Sequence, residues 1–259
     1  MIERQEVVFG LDYRTMHASI IIRVLNEREN LNRLLDILER QDFRDKEIII
    51  VDNESTDGTL ELARSRKVKV INLPRSQFSY PRALNLGAGA ATGDILVFLS
   101  AHSFPLREDW LSSGLNRFSD SGVAGVYSPT LPRSNATLAE RLFYWRYYFE
   151  KLRGAHAVRH AGRGVLGATN CAIRKDLWLK HNFDESYGLG GEDTAWAGWA
   201  LNSGYKIICE SKFVVRHSHG LSWRGLMKQM AYWSGLGKPA TFKRRKFDFR
   251  KEEHFRELP

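Results

Sequence analysis

The chain has 259 residues, 43% of them hydrophobic, and a formal net charge of +9 at pH 7. A chain of this length builds one large α/β domain or two small ones without disulfides, and its composition excludes collagen-like, mucin-like and wholly disordered proteins. The two cysteines, Cys171 and Cys209, lie in apolar stretches, which predicts free thiols and a reducing compartment.

Apolar strands alternate with amphipathic helices over the first hundred residues. Strands are predicted at 17–24, 46–52, 68–73 and 94–100, and helices at 31–38, 59–66 and 81–92. The first strand is almost entirely β-branched, as in a strand buried on both faces, and leucines at helical spacing follow it. This alternation predicts an α/β fold with a mainly parallel sheet and helices on both faces.

The second half of the chain is less regular. Helices are predicted at 110–118, 136–154 and 190–204, strands at 122–129, 206–210 and 213–219, and a strand running into a helix at 164–178. Thr137 and Glu140 form a capping-box pattern at the start of the second helix. A mobile loop is predicted at 154–164, where glycine, histidine and arginine are concentrated.

Positive charge is concentrated at the C-terminus. Residues 224–259 contain ten lysines and arginines against four acids and so supply +6 of the net +9. We predict a helical basic extension at 222–259, whose interleaved aromatics suit a surface lying on anionic lipid. A packed helix pair with a solvated basic face explains the same pattern equally well.

The sequence carries no segment that predicts export or membrane insertion. No apolar run reaches the roughly 20 residues that span a bilayer, and the charged N-terminus lacks the pattern of a secretory signal. We therefore expect a cytoplasmic protein, bound peripherally to the inner face of the plasma membrane if the extension binds lipid.

Polar side chains follow the strands of the predicted sheet at its carboxyl edge, where open α/β sheets bind ligands. These residues are Asn26 and Glu27 after the first strand, Asp52 after the second, and Ser100, Ala101 and His102 after the fourth. A carboxylate at Asp52 can accept a hydrogen bond from the ring N–H of a pyrimidine base. A polar residue at a single strand end is ordinary, because loops begin there in any protein. The convergence of these polar residues on one edge of the sheet is what predicts a ligand site.

Two further groups offer chemistry. Glu192 and Asp193 open a predicted helix after paired glycines, where one carboxylate can act as a general base or both can be ordinary first-turn acids. His217 and His219 share one face of a strand end and, with His102, offer imidazole ligands for a metal or are simply structural. A Gly-x-Gly-x-x-Gly string at 162–167 runs into a strand, so a dinucleotide-dependent oxidoreductase is disfavoured.

Four ordered blocks of this sequence resemble the family 2 glycosyltransferases of the GT-A fold. The blocks are ASIIIRVLNERENLNRLLDILERQ, EIIIVDNESTDGT, RALNLGAGAATGDILVFL and GGEDTAWAGWAL, and the resemblance covers roughly 17–220. It implies a GT-A domain at 1–221, with a nucleotide-binding part at about 17–105 and an acceptor and catalytic part at about 106–221. The implied reaction is inverting transfer from a UDP or dTDP sugar to an acceptor hydroxyl.

The resemblance also implies residue roles. Asp193 of the Glu192-Asp193 pair is the implied catalytic base. The resemblance places Val24, Asn26 and Glu27 beside the nucleoside, Asp52 on the base, and Arg82 and Asn85 along the donor. We also expect Ser100, Ala101 and Arg163 to contact the donor.

The sequence departs from the family where Ser100-Ala101-His102 replaces the usual metal-binding Asp-x-Asp. This segment is similar to that of bacterial rhamnosyltransferases of surface-polysaccharide synthesis, which share the upstream Phe-Ser-Tyr found here at 78–80. Two hypotheses follow for the leaving diphosphate. Either His102 with His217 or His219 binds a divalent metal, Mn²⁺ or Mg²⁺, or no metal is used and Arg163, His102 and neighbouring cations neutralise the charge.

The partners implied by the resemblance are a nucleotide-sugar donor, a glycan or lipid-linked glycan acceptor and an anionic membrane surface, with no nucleic acid expected. The alternative is a catalytically silent GT-A-like domain that binds nucleotide or nucleic acid, with the missing Asp-x-Asp as the mark of lost activity. The retained Glu192-Asp193 pair argues against that alternative.

Overall fold

The computed structural model describes residues 12–152, 154–162 and 164–235. The strands are β1 (Ala18–Val24), β2 (Lys46–Asp52), β3 (Lys69–Asn72), β4 (Ile95–Ser100), β5 (Phe104–Pro105), β6 (Val123–Tyr127), β7 (His156–Ala157), β8 (Asn170–Arg174), β9 (Lys206–Cys209) and β10 (Val215–Arg216). The helices are α1 (Arg28–Glu39), α2 (Thr59–Ser65), α3 (Tyr80–Ala90), α4 (Trp110–Leu115), α5 (Leu138–Leu152), α6 (Lys175–Lys180), α7 (Glu192–Asn202) and α8 (Trp223–Gly235).

Eight strands form one sheet in the order β3-β2-β1-β4-β8-β6-β9-β7. The first four of these strands run parallel, with Val24 opposite Asp52 and Arg23 opposite Ser100. β8 runs antiparallel to both of its neighbours, β4 and β6. The predicted α/β fold with a mainly parallel sheet is confirmed.

The core lies on both faces of this sheet because β1 is apolar on both sides. Ile20 and Ile22 pack into the cluster that contains the leucines of α1, whereas Ile21 belongs to the opposite cluster, which contains residues of α3 and α7. Successive side chains of a strand point to opposite faces of the sheet. A continuous β-branched run therefore packs into both clusters. The predicted leucine face of α1 is confirmed, since Leu31, Leu34, Leu35 and Leu38 are all buried.

The second half differs from the sequence prediction in two places. The strand predicted at 213–219 is reduced to β10, which pairs antiparallel with the equally short β5. The loop predicted at 154–164 contains β7, which pairs with β9 at the edge of the main sheet. Two-residue strands are fixed by distant partners and leave no periodic pattern in the sequence.

The C-terminal extension begins as predicted with a helix, α8. Its Leu226 is buried, and the Tyr232 hydroxyl donates a hydrogen bond to the Leu189 carbonyl, 3.0 Å away, just before α7. Residues 236–259, which carry most of the predicted basic surface, lie outside the described residues. Within the described part of the chain, no helix combines the length and apolarity needed to cross a membrane.

Gly87 lets α3 lie close against the sheet. A Cβ at this position would collide with Cγ2 of Ile21, whereas a Cβ at Gly89 would find its nearest neighbour, a carbon of Trp178, 4.0 Å away. We expect Gly87→Ala to lower the free energy of unfolding by about 1–3 kcal/mol through overpacking. The matched variant Gly89→Ala should instead raise it by about 0.5–1 kcal/mol through helix propensity.

Chemical denaturation of both variants measures these changes. Equal stabilities for the two variants would contradict the close approach of α3 to β1.

Candidate active site

The ends of β1 and β4 bring Glu27 and His102 together. The two strands are parallel neighbours, and the residues that follow them meet with Glu27 Oε1 2.7 Å from His102 Nδ1. Burial by itself raises the pKa of Glu27, but the hydrogen bond and charge of His102 outweigh it and hold that pKa below its usual value. With Nδ1 donating to the carboxylate, His102 keeps Nε2 available for a ligand.

The three histidines predicted from the sequence form one cluster. Their ring centroids lie 4.7 Å apart for His102 and His217, 5.1 Å for His102 and His219, and 4.6 Å for His217 and His219. One ligand nitrogen from each falls within 4.8 Å of the others. Pairing of β10 with β5 causes this convergence, since His102 lies just before β5 and His217 just after β10.

The environment keeps two of these imidazoles neutral. Burial, and then the proximity of His102 and His219, hold the pKa of His217 well below its usual value. Packing against the cluster and the proximity of His102 likewise lower the pKa of His219, although that residue keeps an exposed edge. Neutral imidazole is the form that binds metal ions, so these ligands need lose no proton at neutral pH.

Glu140 fixes the position of the His217–His219 segment. It is buried, with Oε1 accepting from the His219 main-chain N–H at 2.8 Å and Oε2 accepting from the Thr137 N–H at 3.2 Å. The Thr137 hydroxyl in turn accepts from the Glu140 N–H at 3.2 Å. The predicted capping box is confirmed, and its glutamate also anchors the histidine cluster, a role that the sequence did not indicate.

A cavity of about 260 Å³ adjoins the cluster. It is lined by Glu27, Asn30, His102, Arg133, Asn135, Ser218, His219 and Gly220. Sequence reasoning missed Asn30, Arg133 and Asn135, because they come from α1 and from the segment before α5 and match no local motif.

At the end of β2, Asp52 presents an unsatisfied acceptor. The residue is 1% exposed; Oδ2 accepts from the Ser55 N–H at 3.1 Å, while the buried Oδ1 meets no donor within the described residues. The Asn53 Oδ1 is also buried and meets no donor within the described residues. Burying an acceptor without a donor is costly, so two such oxygens side by side suit a ligand that brings N–H groups.

Asn26 shapes the neighbouring turn, with φ of 54° and a side-chain oxygen that accepts from the Thr56 N–H at 2.8 Å. Val24 is buried at the end of β1, where its carbonyl accepts from the Asn53 N–H at 3.0 Å. Both residues therefore lie beside Asp52 at the edge of the sheet, and their contact with a nucleoside stays a prediction.

Glu192 and Asp193 begin α7 behind Gly191, whose φ of 105° suits glycine. Asp193 is held by the main chain, with Oδ2 accepting from the Ala168 N–H at 3.1 Å and Oδ1 from the Thr194 N–H at 2.6 Å. Glu192 is 3% exposed, and its Oε2 finds no partner in the described part of the chain. Ordinary first-turn acids are solvated, so the burial of Glu192 favours the chemical interpretation of the pair.

Burial raises the pKa of both carboxyl groups above their usual values. For Glu192 burial comes first and the charge of Asp193 second, and together they raise the pKa to about 7, against a small opposing effect of Arg23. The pKa of Asp193 is also raised, by burial above all. A carboxylate whose pKa approaches neutrality is a stronger base than a solvated one.

The other predicted residues occupy separate positions. Arg82 lies 3.5 Å from Glu185 and donates to Gln77, and Asn85 donates to the Phe183 carbonyl at 2.8 Å. The Ser100 hydroxyl lies 3.4 Å from His102 Nε2, and Ala101 is buried. Arg163 lies outside the described residues, so its role stays a prediction.

The chain matches known proteins over most of its length. The profile described as Glycosyl transferase family 2 covers residues 19–177. Glycosyltransferase AglE of Haloferax volcanii is 30% identical over 200 residues, covering 73% of this chain and 63% of AglE. The O-antigen chain rhamnosyltransferase RfbN of Salmonella typhimurium is 25% identical over 215 residues, covering 81% of this chain and 68% of RfbN. This chain therefore spans about two thirds of the length of these relatives.

Among solved structures, the mannosyltransferase PcManGT from Pyrobaculum calidifontis, in complex with GDP-Man and Mn²⁺, has a TM-score of 0.62. The match covers 87% of this chain and 67% of that chain, at 20% sequence identity. A likeness at this identity establishes the fold.

The raised pKa of Glu192 has a consequence for stability. The folded state binds the proton of the Glu192 carboxyl group more tightly than the unfolded chain does. The contribution of this proton to the free energy of unfolding is therefore complete below pH 4.5 and is lost as pH rises through about 7. Glutamine does not ionise, so we expect Glu192→Gln to gain up to about 3 kcal/mol of unfolding free energy relative to wild type between pH 4.5 and 8.

Urea denaturation at several pH values measures this gain. The control is Glu61→Gln, another glutamate in the first turn of a helix but an exposed one, which should not reproduce this gain. A pH-independent effect of Glu192→Gln would contradict the raised pKa.

Proposed function

Since the chain belongs to glycosyl transferase family 2 and has the GT-A fold, we propose that it transfers a sugar, with inversion, from a UDP or dTDP donor to an acceptor hydroxyl. The observation that carries this proposal is the buried, partly unsatisfied Glu192 next to Asp193, in a chain that also offers a buried, unsatisfied acceptor at Asp52. The carboxylates of Glu192-Asp193 suit proton removal, and Asp52 suits recognition of a nucleobase.

The nucleotide lies across the ends of β2, β1 and β4. Asp52 Oδ1 accepts from the ring N–H of the pyrimidine, and the neighbouring Val24 and Asn26 border the nucleoside. Because adjacent strands are about 4.8 Å apart, the ends of β2 and β4 are about 10 Å apart, which suits a nucleoside at one end and its diphosphate beside His102. Arg82 and Asn85 are assigned to the donor by the family resemblance alone, since both contact protein groups in the structure.

Asp193 acts as the general base. It takes the proton of the acceptor hydroxyl while that oxygen forms a bond to the anomeric carbon on the face opposite the diphosphate. The bond from the anomeric carbon to the diphosphate oxygen breaks, and its electron pair leaves with the nucleoside diphosphate. Main-chain N–H groups of Ala168 and Thr194 orient the carboxylate, and this fixed geometry supplies much of the rate. Glu192 keeps the proton affinity of the pair high.

His102, His217 and His219 fit a divalent metal ion. Three imidazole nitrogens within 4.8 Å, one of them on a histidine oriented by a carboxylate, are a donor set for transition metals, so we propose Mn²⁺ rather than Mg²⁺. The bound metal would offset the negative charge of the diphosphate. Mn²⁺ accompanies the sugar nucleotide in PcManGT, which supports this choice.

The acceptor we propose is a glycan or lipid-linked glycan of surface-polysaccharide synthesis. RfbN, an O-antigen chain rhamnosyltransferase, supports this acceptor class. In the described part of the predicted extension, Trp223 and Met227 are exposed on α8 beside the exposed Arg224 and Lys228, which suits an anionic membrane surface. The alternative of a catalytically silent domain is not favoured, because Glu192 is buried with a raised pKa and the relatives are named as transferases.

Replacing the base tests the reaction. We expect Asp193→Asn to lower kcat by about 10²–10⁴-fold, since asparagine cannot accept the proton, while the affinity for UDP or dTDP changes by less than about twofold because binding does not need the base. Turnover of UDP and dTDP sugars and calorimetric titration with the free diphosphates measure the two effects. Asp176→Asn is the control: Asp176 also lies in a first helical turn, but it is exposed and paired with Arg174.

Full turnover by Asp193→Asn would exclude Asp193 as the base, and a wild-type protein that binds no nucleoside diphosphate would contradict the transferase itself.

The metal has its own test. We expect Mn²⁺ to strengthen UDP or dTDP binding by at least about tenfold and Mg²⁺ to have a smaller effect, because imidazoles are poor ligands for Mg²⁺. Calorimetry of the wild type in Mn²⁺, Mg²⁺ and EDTA measures the difference, and His217→Ala should abolish the Mn²⁺ response. His17→Ala is the control, since His17 precedes β1 at the opposite edge of the sheet.

Identical affinities for UDP or dTDP in Mn²⁺ and in EDTA would favour the metal-free hypothesis, in which protein cations alone neutralise the diphosphate.

A further inference from the structure

Arg133 lines the cavity beside the histidine cluster, and its main chain is tied to that cluster. The His217 N–H donates to the Leu131 carbonyl at 2.7 Å, and the Arg133 N–H donates to the Ser218 hydroxyl at 3.3 Å. These bonds hold Arg133 against the segment that carries two of the three histidines. Of the cavity-lining residues, which all belong to the described part of the chain, Arg133 is the one with a permanent positive charge.

The guanidinium of Arg133 lies over the ring of Phe104, 5.0 Å from its centroid, and forms no ion pair with a carboxylate in the described residues. Glu27, the acid in the same cavity, is already engaged: Oε1 contacts His102 and Oε2 accepts from the Asn30 amide at 2.6 Å. A half-buried guanidinium that is paired with no carboxylate of the described residues therefore lines the cavity.

We propose that Arg133 binds the diphosphate of the sugar nucleotide and stabilises it as it leaves. The inference rests on the proposed function and adds a residue to it. A guanidinium binds phosphate oxygens through two parallel hydrogen bonds. Negative charge on the diphosphate increases as its bond to the anomeric carbon breaks, so the interaction is stronger in the transition state than in the ground state. The metal-free hypothesis gave this task to Arg163, which lies outside the described residues, together with His102 and neighbouring cations.

The chain offers a close control in Arg33. Its guanidinium also lies over Phe104, 4.5 Å from the ring centroid, but Arg33 comes from α1, is exposed and does not line the cavity. Removing either arginine removes one cation–π contact with the same ring. Removal of Arg133 alone takes a charge from the cavity.

The experiment compares wild type, Arg133→Ala, Arg133→Lys and Arg33→Ala in calorimetric titrations with UDP, dTDP, uridine and thymidine, each in Mn²⁺ and in EDTA. We expect Arg133→Ala to weaken diphosphate binding by about 10–100-fold, the range for a charge-assisted contact. The affinity of Arg133→Ala for uridine and thymidine should stay within about twofold of wild type. The affinity of Arg33→Ala for all four ligands should also stay within about twofold of wild type. Arg133→Lys keeps the charge without the paired donors, so we expect an intermediate loss.

Turnover provides a second readout. Arg133→Ala should lower kcat more than it raises KM for the sugar nucleotide, because the contact strengthens at the transition state. If circular dichroism shows that Arg133→Ala does not fold, the diphosphate affinities of Arg133→Lys and Arg33→Ala are compared instead and test the proposal in the same way.

Diphosphate affinities for the Arg133 variants equal to that of Arg33→Ala would overturn the proposal and leave the transferase intact. Equal losses for diphosphates and nucleosides would also overturn it and assign Arg133 a structural role. Absence of diphosphate binding by the wild-type protein would instead overturn the proposed function itself, and this inference with it.

Discussion

The hydrogen bond between Glu27 and His102 is the contact on which the arrangement of the site depends. It forms because β1 and β4 are parallel neighbours that end at the same edge of the sheet. It orients the His102 ring beside the other two histidines and engages Glu27, an acid that lines the same cavity as Arg133. A change at this contact would therefore alter the histidine cluster and the electrostatics of the cavity together.

Buried carboxylates in this protein divide into satisfied and unsatisfied groups. Glu140 has both oxygens bonded to main-chain N–H groups and serves the architecture by fixing His219 and the start of α5. Asp52 and Glu192 each keep one buried oxygen without a donor in the described residues. Proteins rarely leave such groups unpaired, and we propose that a ligand completes Asp52 and a proton completes Glu192. This distinction separates two sets of acids that look alike in the sequence.

The sequence predicted the regular half of the fold and much of the site, for physical reasons. β1 to β4 and the helices between them follow apolar periodicity, and Asp52, His102 and Glu192 lie at strand ends or a helix start that this periodicity locates. The short pair β5 and β10, the contacts of Glu140 and the position of Arg133 beside the histidines were not predictable. Glu140 and His219 are 79 residues apart, and a contact of that kind is set by tertiary packing and leaves no local pattern.

The histidines in place of Asp-x-Asp change the charge balance at the leaving group. Carboxylate ligands bring negative charge next to a diphosphate, whereas neutral imidazoles bring none, so a cation held by His102, His217 and His219 would keep its full charge toward the phosphates. Glu27 in the same cavity is hydrogen-bonded to His102 and Asn30, and Arg133 forms no ion pair within the described residues. In the proposed reaction, the metal ion and Arg133 would both place positive charge beside the departing diphosphate. Loss of the usual acidic motif is therefore compatible with catalysis, because the task of that motif is to place positive charge beside the diphosphate.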